Sequence, residues 1–252
     1  MIEIDGVSLS HRGTAILHGI RMTLPKGGLT ALIGPNGAGK SSLLSLIARL
    51  QPLQGGRITV DGLPVDRTPG RELARVLAIM RQDTGFAGRL TVRELVGFGR
   101  FPHSRGRLTD EDRRHVAAAL EQFDLTALAD RDLETLSGGQ RQRAFVAMAF
   151  CQGTDYLLLD EPLNNLDMKY GRQMMQLLRE VARRQGRTIL IVLHDINYAA
   201  AYADRIVAMK DGRIVANGTP EDVLTPESLE GLYGYRMQVH RIGGSLVVQH
   251  HD

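Results

Sequence analysis

Short runs of consecutive apolar residues punctuate this chain. Leu29-Thr30-Ala31-Leu32-Ile33, Tyr156-Leu157-Leu158-Leu159 and Thr188-Ile189-Leu190-Ile191-Val192-Leu193 are nearly apolar on both faces, as strands of a parallel sheet covered by helices on both sides must be. Helical patterns separate them, so the order reads as α/β with a mainly parallel, buried sheet. The chain up to Gly62 reads differently. Ile2-Glu3-Ile4, Ile16-Leu17, Ile20-Arg21-Met22-Thr23-Leu24 and Arg57-Ile58-Thr59-Val60, the last closed by Asp61-Gly62, predict short antiparallel strands in a β subdomain beside that sheet. After Val76-Leu77-Ala78-Ile79-Met80 strand signals fade, and helical spacing runs through 92–98 and 110–123. Thr109-Asp110-Glu111-Asp112 supplies a cap and acids for the positive end of the second of these helices. The expected organisation is one domain over 1–252, with a core and β subdomain at 1–81 and 136–252 and a helical subdomain at 82–135. From Ile214 onward, with Thr219-Pro220-Glu221-Asp222 as a helix start, a small C-terminal appendage is expected.

Composition narrows this picture only a little. A hydrophobic fraction of 43% over 252 residues supports one large core. The 31 Lys and Arg nearly balance the 28 Asp and Glu, and a formal charge of +3 gives no nucleic-acid footprint. Cys151 is the only cysteine, which excludes an intrachain disulfide, and it reads as a small buried apolar side chain. The apolar stretches fall far short of the roughly 20 residues that cross a bilayer as a helix. Met1-Ile2-Glu3-Ile4-Asp5-Gly6 carries acids where a secretory signal is basic. The expected location is therefore the cytoplasmic face of the inner membrane, held peripherally through a partner. Met174-Met175, Leu177-Leu178 and Val181 recur at helical spacing and predict core packing. The basic run Arg100, His103, Arg105, Arg107, Arg113 and Arg114 reads as a solvated face, with lipid headgroups or a membrane protein as the alternative.

The chemistry begins at Gly34-Pro35-Asn36-Gly37-Ala38-Gly39-Lys40-Ser41, a G-x-x-x-x-G-K-[ST] loop between an apolar strand and a helical run at 42–50. Glycines let backbone N–H groups curl toward phosphate oxygens, and the following helix adds its positive end. In this setting Lys40 is expected at the β and γ phosphates, and the Ser41 hydroxyl on Mg²⁺. Ser42 supplies a second hydroxyl.

Further along come Leu136-Ser137-Gly138-Gly139-Gln140, Tyr156-Leu157-Leu158-Leu159-Asp160-Glu161, Asn165-Leu166-Asp167 and His194. With the phosphate loop, these resemble the ABC ATPase family over essentially the whole chain: LSGGQ is similar to its signature, the apolar run ending in Asp160-Glu161 to its Walker B, Gln82 to its Q-loop glutamine, 165–167 to its D-loop and His194 to its switch histidine. The residues support the resemblance physically. Asp160, closing a buried strand, suits a Mg²⁺ ligand. Glu161 suits a residue that orients or polarises the attacking water, since phosphoryl transfer is mainly positioning and charge stabilisation. Ser137-Gly138-Gly139 before the helical run 140–150 forms a second anion-binding helix start. The resemblance resolves that duplication by a head-to-tail homodimer in which one chain's signature, through Ser137, Gly138, Gly139 and Gln140, covers the ATP on its partner's loop. It also places Gln82 on Mg²⁺ or the attacking water, His194 on the γ-phosphate and Asp167 at the nucleotide interface.

The sequence departs from the family at three places. Ser10-His11-Arg12 stands where an aromatic usually stacks on adenine, which makes the His11 imidazole the candidate base contact. Ser42 replaces a Thr, and Leu163-Asn164-Asn165 replaces a Thr-Ser-Ala type stretch. Leu95-Val96-Gly97-Phe98-Gly99-Arg100-Phe101-Pro102-His103, Gly106-Arg107-Leu108-Thr109 and Glu161-Pro162-Leu163-Asn164-Asn165-Leu166-Asp167-Met168-Lys169 are similar to the iron–siderophore and petrobactin-type subgroup. That resemblance implies an ATPase working with a separate integral membrane permease, supplied by a periplasmic or lipoprotein substrate-binding protein. A haem or cobalamin importer and a soluble ABC ATPase stay open as alternatives.

Overall fold

The computed structural model describes residues 1–81 and 89–250. The chain opens with two long antiparallel strands, β1 (Ile2–His11) and β2 (Thr14–Leu24). Where the apolar pattern predicts separate short strands at 2–4, 16–17 and 20–24, pairing is continuous. Gly6 and Gly19 account for the difference. Both have positive φ, 64° and 60°, in a ladder whose register shifts between Ile4 and Val7 and again beyond, so bulges break the alternation without ending the strands. β3 (Gly28–Ile33) leads through the phosphate loop into α1 (Lys40–Ile47). β4 (Arg57–Val60) and β5 (Leu63–Pro64) then complete a four-stranded antiparallel sheet in the order β2-β1-β4-β5.

After α2 (Gly70–Val76) and β6 (Leu77–Met80) come the helices α3 (Val92–Phe98), α4 (Phe101–Ser104), α5 (Asp110–Gln122) and α6 (Gly138–Cys151). Strand and helix then alternate through β7 (Tyr156–Asp160), α7 (Met168–Gln185), β8 (Thr188–Val192), α8 (Ile196–Tyr202) and β9 (Arg205–Lys210). β10 (Arg213–Gly218), α9 (Pro220–Val223), α10 (Pro226–Tyr233) and the hairpin β11 (Gln238–Ile242) and β12 (Ser245–Gln249) close the chain. The main sheet has the order β10-β9-β3-β8-β7-β6, parallel except for β10. No helix among the described residues is long and apolar enough to cross a membrane.

Both faces of this sheet are buried, and each strand divides its side chains between them. Leu29, Ala31, Ile33, Leu157, Leu159, Ile189 and Ile191 pack with α3, α5, α6 and α7, where Met174, Met175, Leu178 and Val181 sit as their spacing predicts. Leu32, Leu158, Leu190, Val192 and Val207 pack instead with α1 and the antiparallel sheet. The α-helical layer is organised by caps: Thr91 with Glu94, Thr109 with Asp112 and Ser137 with Gln140 are capping boxes starting α3, α5 and α6.

Arg100 does not belong to a solvated basic face. It is 7% exposed, its Nε donates to Asp112 Oδ1 at 2.9 Å, and its guanidinium also reaches the Cys151 and Gln152 carbonyls at 3.1 and 3.3 Å. This pair joins the start of α5 to the end of α6. Burial alone would raise the Asp112 pKa. The Thr109 backbone N–H, Arg100 and the Thr109 hydroxyl outweigh it and take the group from 3.8 to about 2. The folded value is thus depressed, so the contribution is whole above about pH 4 and is lost as pH falls from 3.8 toward 2. Asp112→Ala should cost about 3 kcal/mol in urea unfolding at pH 7, since it strands a buried guanidinium, and the variant should lack this acid-labile component of the wild-type stability.

Candidate active site

The parallel register determines which groups meet. Leu32 on β3 is level with Val192 on β8, and Val192 is level with Asp160 on β7. The carboxyl ends of three adjacent strands therefore finish together, with Gly34 following β3, Glu161 following β7 and His194 following β8. Open α/β sheets bind ligands at this edge.

The phosphate loop turns where only glycine fits. Gly34 has φ 144°, and a Cβ there would fall 2.0 Å from the Met209 carbonyl oxygen of neighbouring β9. Gly39, at φ 94°, is the N-cap of α1 and offers no side-chain hydrogen bond, so the first N–H groups of that helix face an external acceptor. Lys40 is 5% exposed. Its Nζ donates to the carbonyls of Gly34 at 2.8 Å and Pro35 at 2.9 Å, and burial lowers its pKa against the pull of Glu161 and Asp160. Asn36, Gly37, Ala38 and Gly39 line a cleft of about 520 Å³ with Lys40, Ser41 and Ser42. Its opposite wall includes Glu161 and His194.

Ser41 Oγ donates to Asp160 Oδ1 at 2.9 Å. Burial raises the Asp160 pKa, Ser41 opposes this, and the charge of Glu161 adds to it. The two residues present hard oxygen donors side by side. That set fits Mg²⁺, which takes one or two protein oxygens and keeps substrate phosphates and waters for the rest of its shell. Glu161 is held from both ends of its carboxylate: His194 Nε2 lies 2.6 Å from Oε1, and Asn164 Nδ2 donates to Oε2 at 2.7 Å. Its carbonyl accepts from Gln142 Nε2 at 3.1 Å.

Other expected site residues lie elsewhere. His11 ends β1 and, with Ser10, lines an adjoining hollow; Ile16 is common to both cavities. Ser137, Gly138, Gly139 and Gln140 begin α6 away from the cleft lining, and Gly138 and Gly139 abut Asn165 and Leu166. Asp167 caps α7 by accepting from the Tyr170 N–H at 2.9 Å. Gln82 lies outside the described residues. Ile16 and Asn164 were not singled out by sequence. Ile16 reads as an ordinary strand apolar, and Asn164 has no signal apart from replacing the small residue of the related pattern. The Cys151 thiol, buried and pushed up to about 11, is inert in this setting.

The sequence model of the ABC transporter family matches residues 17–164. This chain belongs to that family. As an ABC ATPase it binds and hydrolyses ATP. It is 51% identical to Petrobactin import ATP-binding protein FatE of Bacillus anthracis, across 95% of this chain and 96% of that protein. Ferric enterobactin transport ATP-binding protein FepC of Escherichia coli is 39% identical, across 93% of this chain and 88% of that one. Among solved structures, the dimeric post-hydrolysis state of an ATP-binding cassette bound to ADP and Pi superposes with a TM-score of 0.80 at 27% identity, covering 87% of this chain and 99% of that one. The ABC ATPase geometry yields a direct expectation for its lysine. Lys40→Ala should weaken ATP binding about 100-fold, the scale of a lost charge-assisted contact, in an equilibrium titration with a fluorescent ATP analogue.

Proposed function

We propose that this ABC ATPase is the ATP-hydrolysing subunit of an importer for an iron–siderophore complex, working as a homodimer beneath a separate membrane permease. The observation that carries the hydrolytic part is the convergence of Lys40, the Ser41–Asp160 pair and the Glu161–His194 pair on one cleft. The substrate class follows from the relatives, whose names specify petrobactin import and ferric enterobactin transport. Delivery by a substrate-binding protein, and a peripheral position on the cytoplasmic side of the membrane, complete the proposal.

In this reading the N–H groups of 36–41 and the Lys40 ammonium bind the triphosphate. Ser41 and Asp160 would hold Mg²⁺, which would supply neutralisation of phosphate charge. Glu161 orients the attacking water and withdraws its proton, and His194 leaves Oε1 to donate to the γ-phosphate. Ile16 offers the apolar contact beside the phosphates, next to the hollow where His11 is placed to meet the base. The start of α6, with Ser137, Gly138, Gly139 and Gln140, serves the cleft of the second subunit, and Asp167 stands at the same interface. A dimeric neighbour among solved cassettes supports this arrangement. The segment 82–135 acts as the helical lobe, and Gln82 couples its movement to the nucleotide.

Glu161→Gln should lower turnover at least about 100-fold, the scale of general-base catalysis, while leaving an ATP-bound dimer visible by size exclusion. Wild-type turnover in that variant would remove Glu161 from the mechanism. A strain without this chain should fail to accumulate radioactive iron from ferric siderophores, and the wild type but not Glu161→Gln should restore uptake. Unchanged accumulation across a panel of ferric chelates would overturn the substrate class.

A further inference from the structure

The turn that follows β7 carries an interaction that the phosphate loop, the metal ligands and the switch histidine leave unexplained. Asn164 donates from Nδ2 to Glu161 Oε2 at 2.7 Å, and its own N–H donates to the Glu161 carbonyl at 3.3 Å. Side chain and backbone thus close on the same residue. Glu161 itself sits at φ 52°, a left-handed conformation that is unfavourable for a non-glycine residue. It is 9% exposed, and its carbonyl is further fixed by Gln142. A residue held in a strained backbone conformation at a cleft wall is placed there by its surroundings.

We infer that Asn164 is a positioning residue for hydrolysis: its amide pins Oε2 of Glu161 so that Oε1 is the oxygen presented to the cleft. The inference stands on Glu161 orienting the attacking water. The two oxygens are not equivalent. Oε1 faces His194, which lines the cleft and is 43% exposed, whereas Oε2 faces a part-buried amide that is not among the lining residues. Rotation about the last torsion of a glutamate is broad and roughly two-fold. One fixed oxygen removes that freedom and aims the other, which is the kind of angular constraint that hydrolysis by positioning requires. An amide suits the task because it donates without ionising. An aspartate at 164 would instead set a like charge against Glu161.

The test uses the full chain with Mg²⁺-ATP and four variants. Asn164→Ala should lower kcat about tenfold, the scale of one hydrogen bond to a charged group, with KM for ATP within about twofold. It should also retain the capacity to form the ATP-bound dimer expected for Glu161→Gln. Asn164→Ser, which keeps a turn-forming donor, should recover part of the rate. The double variant Glu161→Gln with Asn164→Ala should be no slower than Glu161→Gln alone, because the two residues act through one carboxylate. A kcat for Asn164→Ala within about twofold of wild type, a loss of ATP affinity that parallels the loss of rate, or additive losses in the double variant would each overturn the inference. Should Asn164→Ala fold poorly, the Ser variant and a thermal melt decide the same question, and a Ser variant as slow as Ala with an unchanged melt counts against it. Wild-type turnover in Glu161→Gln is a different failure, since it removes the role of Glu161 on which the inference stands.

Discussion

A parallel ladder sets Leu32, Val192 and Asp160 at one level across β3, β8 and β7, and a strand advances only about 3.3 Å per residue. Groups one or two positions beyond that level therefore fall within reach of one ligand. Apolar patterning cannot by itself hold this register, because both faces of these strands are apolar and a slip by one residue exchanges one buried set for another. Polar contacts at the strand ends do so. Asp204 Oδ2 accepts from the Leu29 N–H at 2.9 Å, and Thr188 Oγ1 accepts from the Gly27 N–H at 2.8 Å. At the other end, the Leu193 N–H donates to the Leu32 carbonyl at 3.2 Å. The absence of a side chain at Gly34 lets the loop pass against Met209. The site is a consequence of these pins.

With the register fixed, electrostatics decides how the cleft behaves. Lys40 stands near two carboxylates, Asp160 and Glu161, and all three are at most 9% exposed. Two adjacent buried acids would be costly if each lacked partners. Asp160 has the Ser41 hydroxyl, and Glu161 has His194 and the Asn164 amide. Lys40 rests on two backbone carbonyls, which are neutral acceptors. A polyanion offers it a stronger partner, because the attraction of a full opposite charge adds to the hydrogen bond. The lysine is therefore held in position yet is not committed to a carboxylate.

The residues legible in the sequence were those whose pattern is local. The strand, glycine loop and helix at 28–47 announce themselves because each requires a particular residue type at fixed spacing, and the same is true of the Ser137–Gln140 capping box. Three features resisted for one shared reason: their partners are distant along the chain. The bulges at Gly6 and Gly19 interrupt alternation while β1 and β2 continue to pair. Arg100 looks like one cation in a basic run until Asp112 and the end of α6 enclose it. The terminal hairpin is mostly exposed, and it is anchored by Asn197, whose amide both donates to the Val248 carbonyl at 3.1 Å and accepts from its N–H at 2.8 Å. Asn164 is the opposite case. Its partner is three positions away, but an asparagine in a turn is so ordinary that only the orientation of its amide distinguishes it.

The start of α6 connects these considerations to cooperation between two sites. A Cβ on Gly139 would stand 3.0 Å from the Asn165 carbonyl oxygen, and one on Gly138 would stand 3.2 Å from the Asn165 Cβ. The signature glycines thus permit close approach to the turn that carries Glu161 and Asn164. Asn165 is itself at φ 63°, so this turn holds two left-handed non-glycine residues, and Gln142 on α6 binds the Glu161 carbonyl. One helix therefore carries both the N–H groups proposed to meet the partner's nucleotide and a direct bond to the acid of its own cleft. Closely packed elements shift as units rather than deform continuously. A displacement of the signature helix on meeting a phosphate would accordingly reach Glu161 through a single hydrogen bond and one packed turn, with no loop between to absorb it.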